Sequence, residues 1–217
     1  LNKTMIGTGS CSIMDAINLT KFCVEKGIND CLMLPPFYYK NPKDDGLFQF
    51  FSEVIQRVGS KDLRIQIYHF PAISQIPITH NLIEKLLKDY PENFCGIKDS
   101  GGDLNNMLSM CKNFENFDVY AGSEAYFLDV LEAGGAGTIT ATGNLTYLKC
   151  IEVMSAFKLN DQNKKSLQDE LTIQRNNLQK ACSSYGFVSG LKEILSDNIQ
   201  DNSWRITRPP FKILNEK

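Results

Sequence analysis

Six short apolar runs, each ending at Gly, Pro or a polar residue and each followed by a helix-period pattern, limit what this chain can fold into. The runs span 5–8, 31–34, 64–68, 94–98, 118–121 and 137–140. Strands buried in a parallel sheet read as continuous runs of this kind. The helix-period segments are 12–26, 47–58, 81–89, 104–112, 125–133 and 147–157. In the first of them Ile13, Ala16, Ile17, Leu19 and Val24 supply the apolar positions, and Gly27 is a stop suited to the residue just past a helix end. Strand, loop and helix recurring at intervals of roughly 20 to 30 residues predict consecutive βα units on a parallel sheet, a pattern that doubly wound sheets and TIM barrels share. Beyond Leu159 the strand pattern stops. Helices are predicted over 163–183 and 188–198, followed by the tail "SWRITRPPFKIL". No Gly-, Ser- or Pro-rich linker divides the 217 residues, a length that suits one sizeable core.

One run carries a residue that burial should reject. The segment "NFCGIKDSGGD" (93–103) starts as a buried strand and ends on Lys98. In a parallel α/β fold the C-terminal ends of the strands converge on one face, and catalytic groups come from several of them. Here those ends carry Thr8 and Ser10, the "LPPFYYKNP" turn, Tyr68, Lys98 with Ser100, Gly122 to Glu124, and Thr140 to Asn144. Desolvation favours the amine form of a lysine, and an amine can attack a carbonyl to give a Schiff base. The competing reading is an ion pair between Lys98 and Asp99 or another carboxylate. Tyr68 suits a proton shuttle in a hydrogen-bonded chain, or equally a packed ring with its hydroxyl at the rim. Strand alternation turns its neighbour His69 to the opposite face.

Composition excludes more than it selects. Hydrophobic residues at 42% and charged residues at 22% describe a packed domain. The formal net charge of −2, from 23 basic and 25 acidic residues, gives no reason to expect a nucleic-acid or membrane partner. No apolar run approaches the roughly eighteen residues of a membrane span, and no basic-then-apolar leader opens the sequence, so the expectation is a cytoplasmic protein. Seven scattered cysteines and two histidines, His69 and His80, do not form a metal-ligand pattern and read as reduced thiols, with no metal expected. "GTGSCS" lacks the third glycine of a dinucleotide fingerprint and "GGAGTITATGN" lacks the Gly-Lys-Ser/Thr of a P-loop. Both can still offer backbone N–H groups to a carboxylate, or serve strand–helix packing.

With "PPFYY", "YHFPAIS", "GIKDSGGD", "YAGSEAYF" and "GGAGTITATGN" in this order, and on through "YGFVSGLKEIL" to "WRITRPPF", the chain resembles the dihydrodipicolinate synthase / N-acetylneuraminate lyase family over nearly its whole length. The resemblance implies an α/β fold: a TIM (β/α)8 barrel with extra C-terminal helices, here lacking the first two βα units. Residues 1–160 would be βα units 3 to 8, and 161–217 the helical extension. It implies a lyase acting through a covalent pyruvate imine on Lys98, with no separate cofactor, in a homo-oligomer, dimer or tetramer. Lys98 matches the imine-forming lysine and Tyr68 the proton-relaying tyrosine. Tyr38 matches the tyrosine that in many members crosses a dimer interface. Ser100, Gly122 and Glu124 match contacts to the second substrate, and Ile139 the strand position whose carbonyl lies near the imine. The implied partners are pyruvate and an aldehyde, joined or released as a 2-keto-3-deoxy acid, a sialic acid or a 4-hydroxy-2-oxoglutarate.

Two departures qualify that implication. Ile73 stands where the synthases have an arginine for the carboxylate of a semialdehyde, and a branched alkane cannot make that bidentate contact. This weighs against the alternative of a 4-hydroxy-tetrahydrodipicolinate synthase of lysine biosynthesis. The family's "GTTGE" motif, which holds the pyruvate carboxylate, is not in the sequence. Two units of about 30 residues each are expected to precede this stretch in a longer protein. The reading of a different class is a non-catalytic keto-acid-binding homologue or an inactive fragment.

Overall fold

The structure, a computed structural model, describes residues 4–183 and 186–211. It contains two compact units, one made of residues 1–123 with 129–138 and the other of 124–128 with 139–217. The opening residues 1–3, Tyr185 of "YGFVSGLKEIL" and the tail residues 212–217 lie outside the described set.

The first unit holds the sheet. Strands β1 (Met5–Gly7), β2 (Asp30–Met33), β3 (Arg64–His69), β4 (Phe94–Asp99), β5 (Asp118–Ala121) and β6 (Gly137–Thr138) are all parallel and pair in sequence order, with no strand stepping over another. That order resolves the ambiguity left by periodicity. A doubly wound sheet reverses its strand order at a switch point, whereas right-handed crossovers that always advance the same way place every helix on one face and curl the sheet. The product is a six-stranded half-barrel.

Helices α1 (Ile13–Glu25), α2 (Asp44–Val58), α3 (Pro71–Ser74), α4 (His80–Asp89), α5 (Leu104–Asn113) and α6 (Phe127–Glu132) fall between the strands. α1, α4 and α5 start on capping side chains: Ser12, Thr79 and Asp103 accept the backbone N–H of Asp15, Leu82 and Asn106. The outward strand residues Cys31, Met33, Ile65, Ile67, Ile97, Val119 and Ala121 are fully buried. The alternate residues Leu32, Tyr68, Lys98 and Tyr120 face the other way and are half-buried. Near the N-terminal ends of the strands, Arg64 bridges Asp30 at 3.2 Å and Asp118 at 3.7 Å.

The second unit is helical. It contains α7 (Gly143–Lys158), α8 (Lys164–Cys182) and α9 (Phe187–Ile199). Buried Gln168 on α8 accepts the Leu128 N–H at 3.0 Å and donates to the Glu124 carbonyl at 2.8 Å, which pins the short 124–128 segment. Among the described residues no helix is long and apolar enough to cross a membrane.

Candidate active site

The register of the sheet assembles the site. Tyr68 on β3 pairs with Lys98 on β4, and Lys98 pairs with Tyr120 on β5, so the amine sits between two phenols on one rung. The Lys98 Nζ lies 4.0 Å from the centroid of the Tyr68 ring, a cation–π distance. Tyr68 stacks on Phe70 with centroids 5.5 Å apart, and the Ser100 hydroxyl donates to the Tyr68 oxygen at 3.4 Å. Burial pushes the Tyr120 phenol up from its usual value, with Asp118 and Asp30 adding to the effect. Sequence reasoning missed Tyr120. Period-two alternation back from Gly122 would have put it on the inward face.

Gly122 completes the strand ends because nothing larger fits. A Cβ there would lie 2.1 Å from the Ser100 Oγ and 2.7 Å from the Asp99 carbonyl oxygen. Its N–H donates to that same carbonyl at 2.7 Å, which locks the β4 and β5 ends together.

Asp99 does not pair with Lys98. It is on the opposite face, fully buried, with its carboxylate accepting the Gly101 N–H and the Asn106 amide, each at 2.7 Å. The amine and its neighbouring acid are separated by the pleat.

The remaining expected residues stand on other segments. Tyr38, on the turn after β2, is 75% exposed, meets Tyr39 edge-to-face, and donates its N–H to the Cys11 sulfur at 3.2 Å. Lys40 ties that turn to the end of α3 by donating to the Ser74 carbonyl at 3.3 Å. Ile73, within α3, is 65% exposed. Glu124 and Ile139 belong to the second unit. The Glu124 carboxylate is fully buried and accepts hydroxyls from Thr140 at 2.7 Å, Thr142 at 2.5 Å and Thr146 at 2.8 Å. Ile139 follows β6 directly and is half-buried. The structure therefore brings Lys98, Tyr68, Ser100 and Gly122 together. Tyr38 stands on an exposed turn of the same unit.

The glycine-rich segment before β6 spends its amides locally, Gly134 to the Leu131 carbonyl, Gly135 to Val130 and Ala136 to Val119. Among the described residues no three His, Cys, Asp or Glu side chains gather as metal ligands would, and all seven cysteines are free thiols.

A family model described as "Dihydrodipicolinate synthetase family" matches residues 3–217. A DapA-like lyase of Chloroflexus aurantiacus is 32% identical over 62% of this chain and 45% of its own length. A 4-hydroxy-tetrahydrodipicolinate synthase of Listeria monocytogenes is 31% identical over 72% of this chain and 52% of its own. The chain thus spans about half the length of the curated relatives it matches. Among solved structures, YagE from E. coli K12, a protein of the dihydrodipicolinic acid synthase family in complex with pyruvate, superposes with a TM-score of 0.83 over 98% of this chain and 70% of that one, at 22% identity.

Proposed function

The chain belongs to the dihydrodipicolinate synthetase family, and from that premise we propose that Lys98 is the imine-forming residue of a pyruvate-dependent class I aldolase or lyase. The observation that carries this reading is the rung itself: an amine on a rigid strand, held over the face of Tyr68, whose oxygen also takes a hydroxyl from Ser100. The Lys98 nitrogen adds to the keto carbon and forms a carbinolamine. The carbinolamine hydroxyl leaves as water with a proton supplied through Tyr68, giving a C=N bond. The Tyr68 oxygen, now deprotonated, takes a methyl proton and leaves an enamine, whose carbon forms the new C–C bond to an aldehyde; Tyr68 returns that proton to the resulting alkoxide, and water hydrolyses the imine. Cleavage runs the same steps backwards. Ser100 is suited to return the proton to Tyr68 along the hydrogen bond they share.

Tyr38, exposed on its turn, is the residue we assign to reach a second subunit in a homo-oligomer. A neutral, exposed Ile73 supports an aldehyde partner without a carboxylate at that position. Borohydride reduction in the presence of pyruvate should add a three-carbon mass to Lys98, and a protein that turns over substrate with Lys98 unlabelled would refute the assignment. Pyruvate release from a ketodeoxy sugar acid, a sialic acid and 4-hydroxy-2-oxoglutarate then selects the substrate class.

A further inference from the structure

Immediately after Tyr68 and Lys98, the next residues of the same strands form a second pair on the other face. His69 and Asp99 are register partners, 8% and 0% exposed. The ring of His69 is held in one tautomer. Its Nδ1 accepts the Ile78 N–H at 3.0 Å, so the ring proton is on Nε2, 4.0 Å from the Asp99 Oδ1. Gly101 leaves the space between them, since a Cβ there would lie 2.9 Å from the His69 Nε2 and 3.0 Å from that oxygen.

The His69–Ile78 bond closes a loop. Residues 70–78 include Phe70, stacked on Tyr68, the exposed Ile73, and Ser74, whose carbonyl takes the Lys40 ammonium from the Tyr38 turn. Ser74 also bonds Phe70 and Ile76, which braces the loop from within. We propose that His69 is a positioning residue: as the neutral imidazole it clasps loop 70–78 at the mouth of the site, and its protonation opens the clasp and loosens binding of the second substrate. This rests on the reading of Lys98 and Tyr68 as the catalytic pair.

The chemistry is directional. A protonated imidazole has two donors and no acceptor, so a buried Nδ1–H would face the Ile78 N–H and the two must part. The new charge draws the ring toward Asp99 instead. Burial holds the His69 pKa below its ordinary value, with Asp99 opposing, which keeps the clasp closed at neutral pH. Asp99 on β4 is the charged group facing the ring. α5 contributes the uncharged Asn106 amide to that carboxylate, and His80 at the start of α4 is engaged with Ser109 and the Phe114 ring.

Hydrogen exchange on the whole chain tests this without requiring turnover. On going from about pH 7.5 to about pH 5, with intrinsic rates corrected, exchange in 70–79 should rise by about tenfold or more while the β4 peptide stays constant. His69→Asn keeps an acceptor where Nδ1 was and cannot titrate, so it should stay slow at both pH values; His69→Leu should be fast at both. Kinetically, the wild type should show KM for the second substrate rising with acid at constant kcat, and His69→Asn should not. A flat wild-type exchange profile, or the same acid response in His69→Asn, overturns the clasp. ¹⁵N shifts of the wild-type ring give an independent measure if a variant misfolds: an Nδ1 already protonated at neutral pH would also overturn it. Turnover without a borohydride adduct on Lys98 would refute the imine reading alone and leave the exchange result standing.

Discussion

On β3 and β4 the inward pair, Tyr68 and Lys98, and the outward pair, His69 and Asp99, are neighbours in sequence and opposites in environment. The inward pair is half-buried, the amine lying over the ring face and the phenol oxygen accepting the Ser100 hydroxyl. The outward pair is buried, and its polar atoms are committed to Ile78, Gly101 and Asn106. The Asp99 carboxylate is only one residue from the Lys98 amine. On a strand the pleat aims it away, so reactivity and support occupy adjacent positions without interfering.

The largest break in this contrast should come from Lys98→Ala, which removes the proposed imine-forming amine and should lower turnover on the order of 10⁴-fold while leaving the urea midpoint nearly unchanged. Asp99→Ala should do the reverse in kind. It strands the Gly101 N–H and the Asn106 amide in a dry site, and urea unfolding should show a loss of about 3 kcal/mol; a loss below about 1 kcal/mol would mean that water replaces the carboxylate and the outward face is not the support. Tyr68→Phe keeps the ring under Lys98 and the stack on Phe70, so kcat should fall about 10²-fold with stability intact. The smallest effect is on the pH dependence of folding. His69 has a lowered pKa in the folded state, so above about pH 6.5 it contributes no slope; below that the unfolded chain binds a proton the folded one refuses, and stability falls as pH falls until the folded pKa is passed. His69→Asn should remove that share of the slope in unfolding curves taken from pH 8 downwards.

Much of this was legible in the sequence because buried parallel strands announce themselves. β3, β4 and β5 begin at Arg64, Phe94 and Asp118, where the apolar runs begin. β6 stops at Thr138, short of the expected Thr140, whose hydroxyl is given to Glu124. The four-residue α3 carries too little sequence for a period to show; Pro71 starts it and Gln75, at φ 57°, ends it. Strand order was not legible in periodicity, which describes single strands while order is decided by pairing between them; it was implied only by the family resemblance. Lys98 and Tyr68 could be found as strand ends. Alternation back from Gly122 gives the face of Tyr120, but its place beside Lys98 needed the strand register, and the partners of Glu124 lie 16, 18 and 22 residues along the chain.

The bond from the Tyr38 N–H to the Cys11 sulfur has a practical consequence. Of the seven thiols, Cys31 is pushed up to about 12 by burial, and Cys95 and Cys182 are also buried and raised. Cys11 is reachable and sits against the turn that carries Tyr38. A thiol-reactive fluorophore should therefore label Cys11 early and report on the Tyr38 turn, so that the proposed assembly of subunits around that turn can be tested by an optical signal from a residue the protein already has.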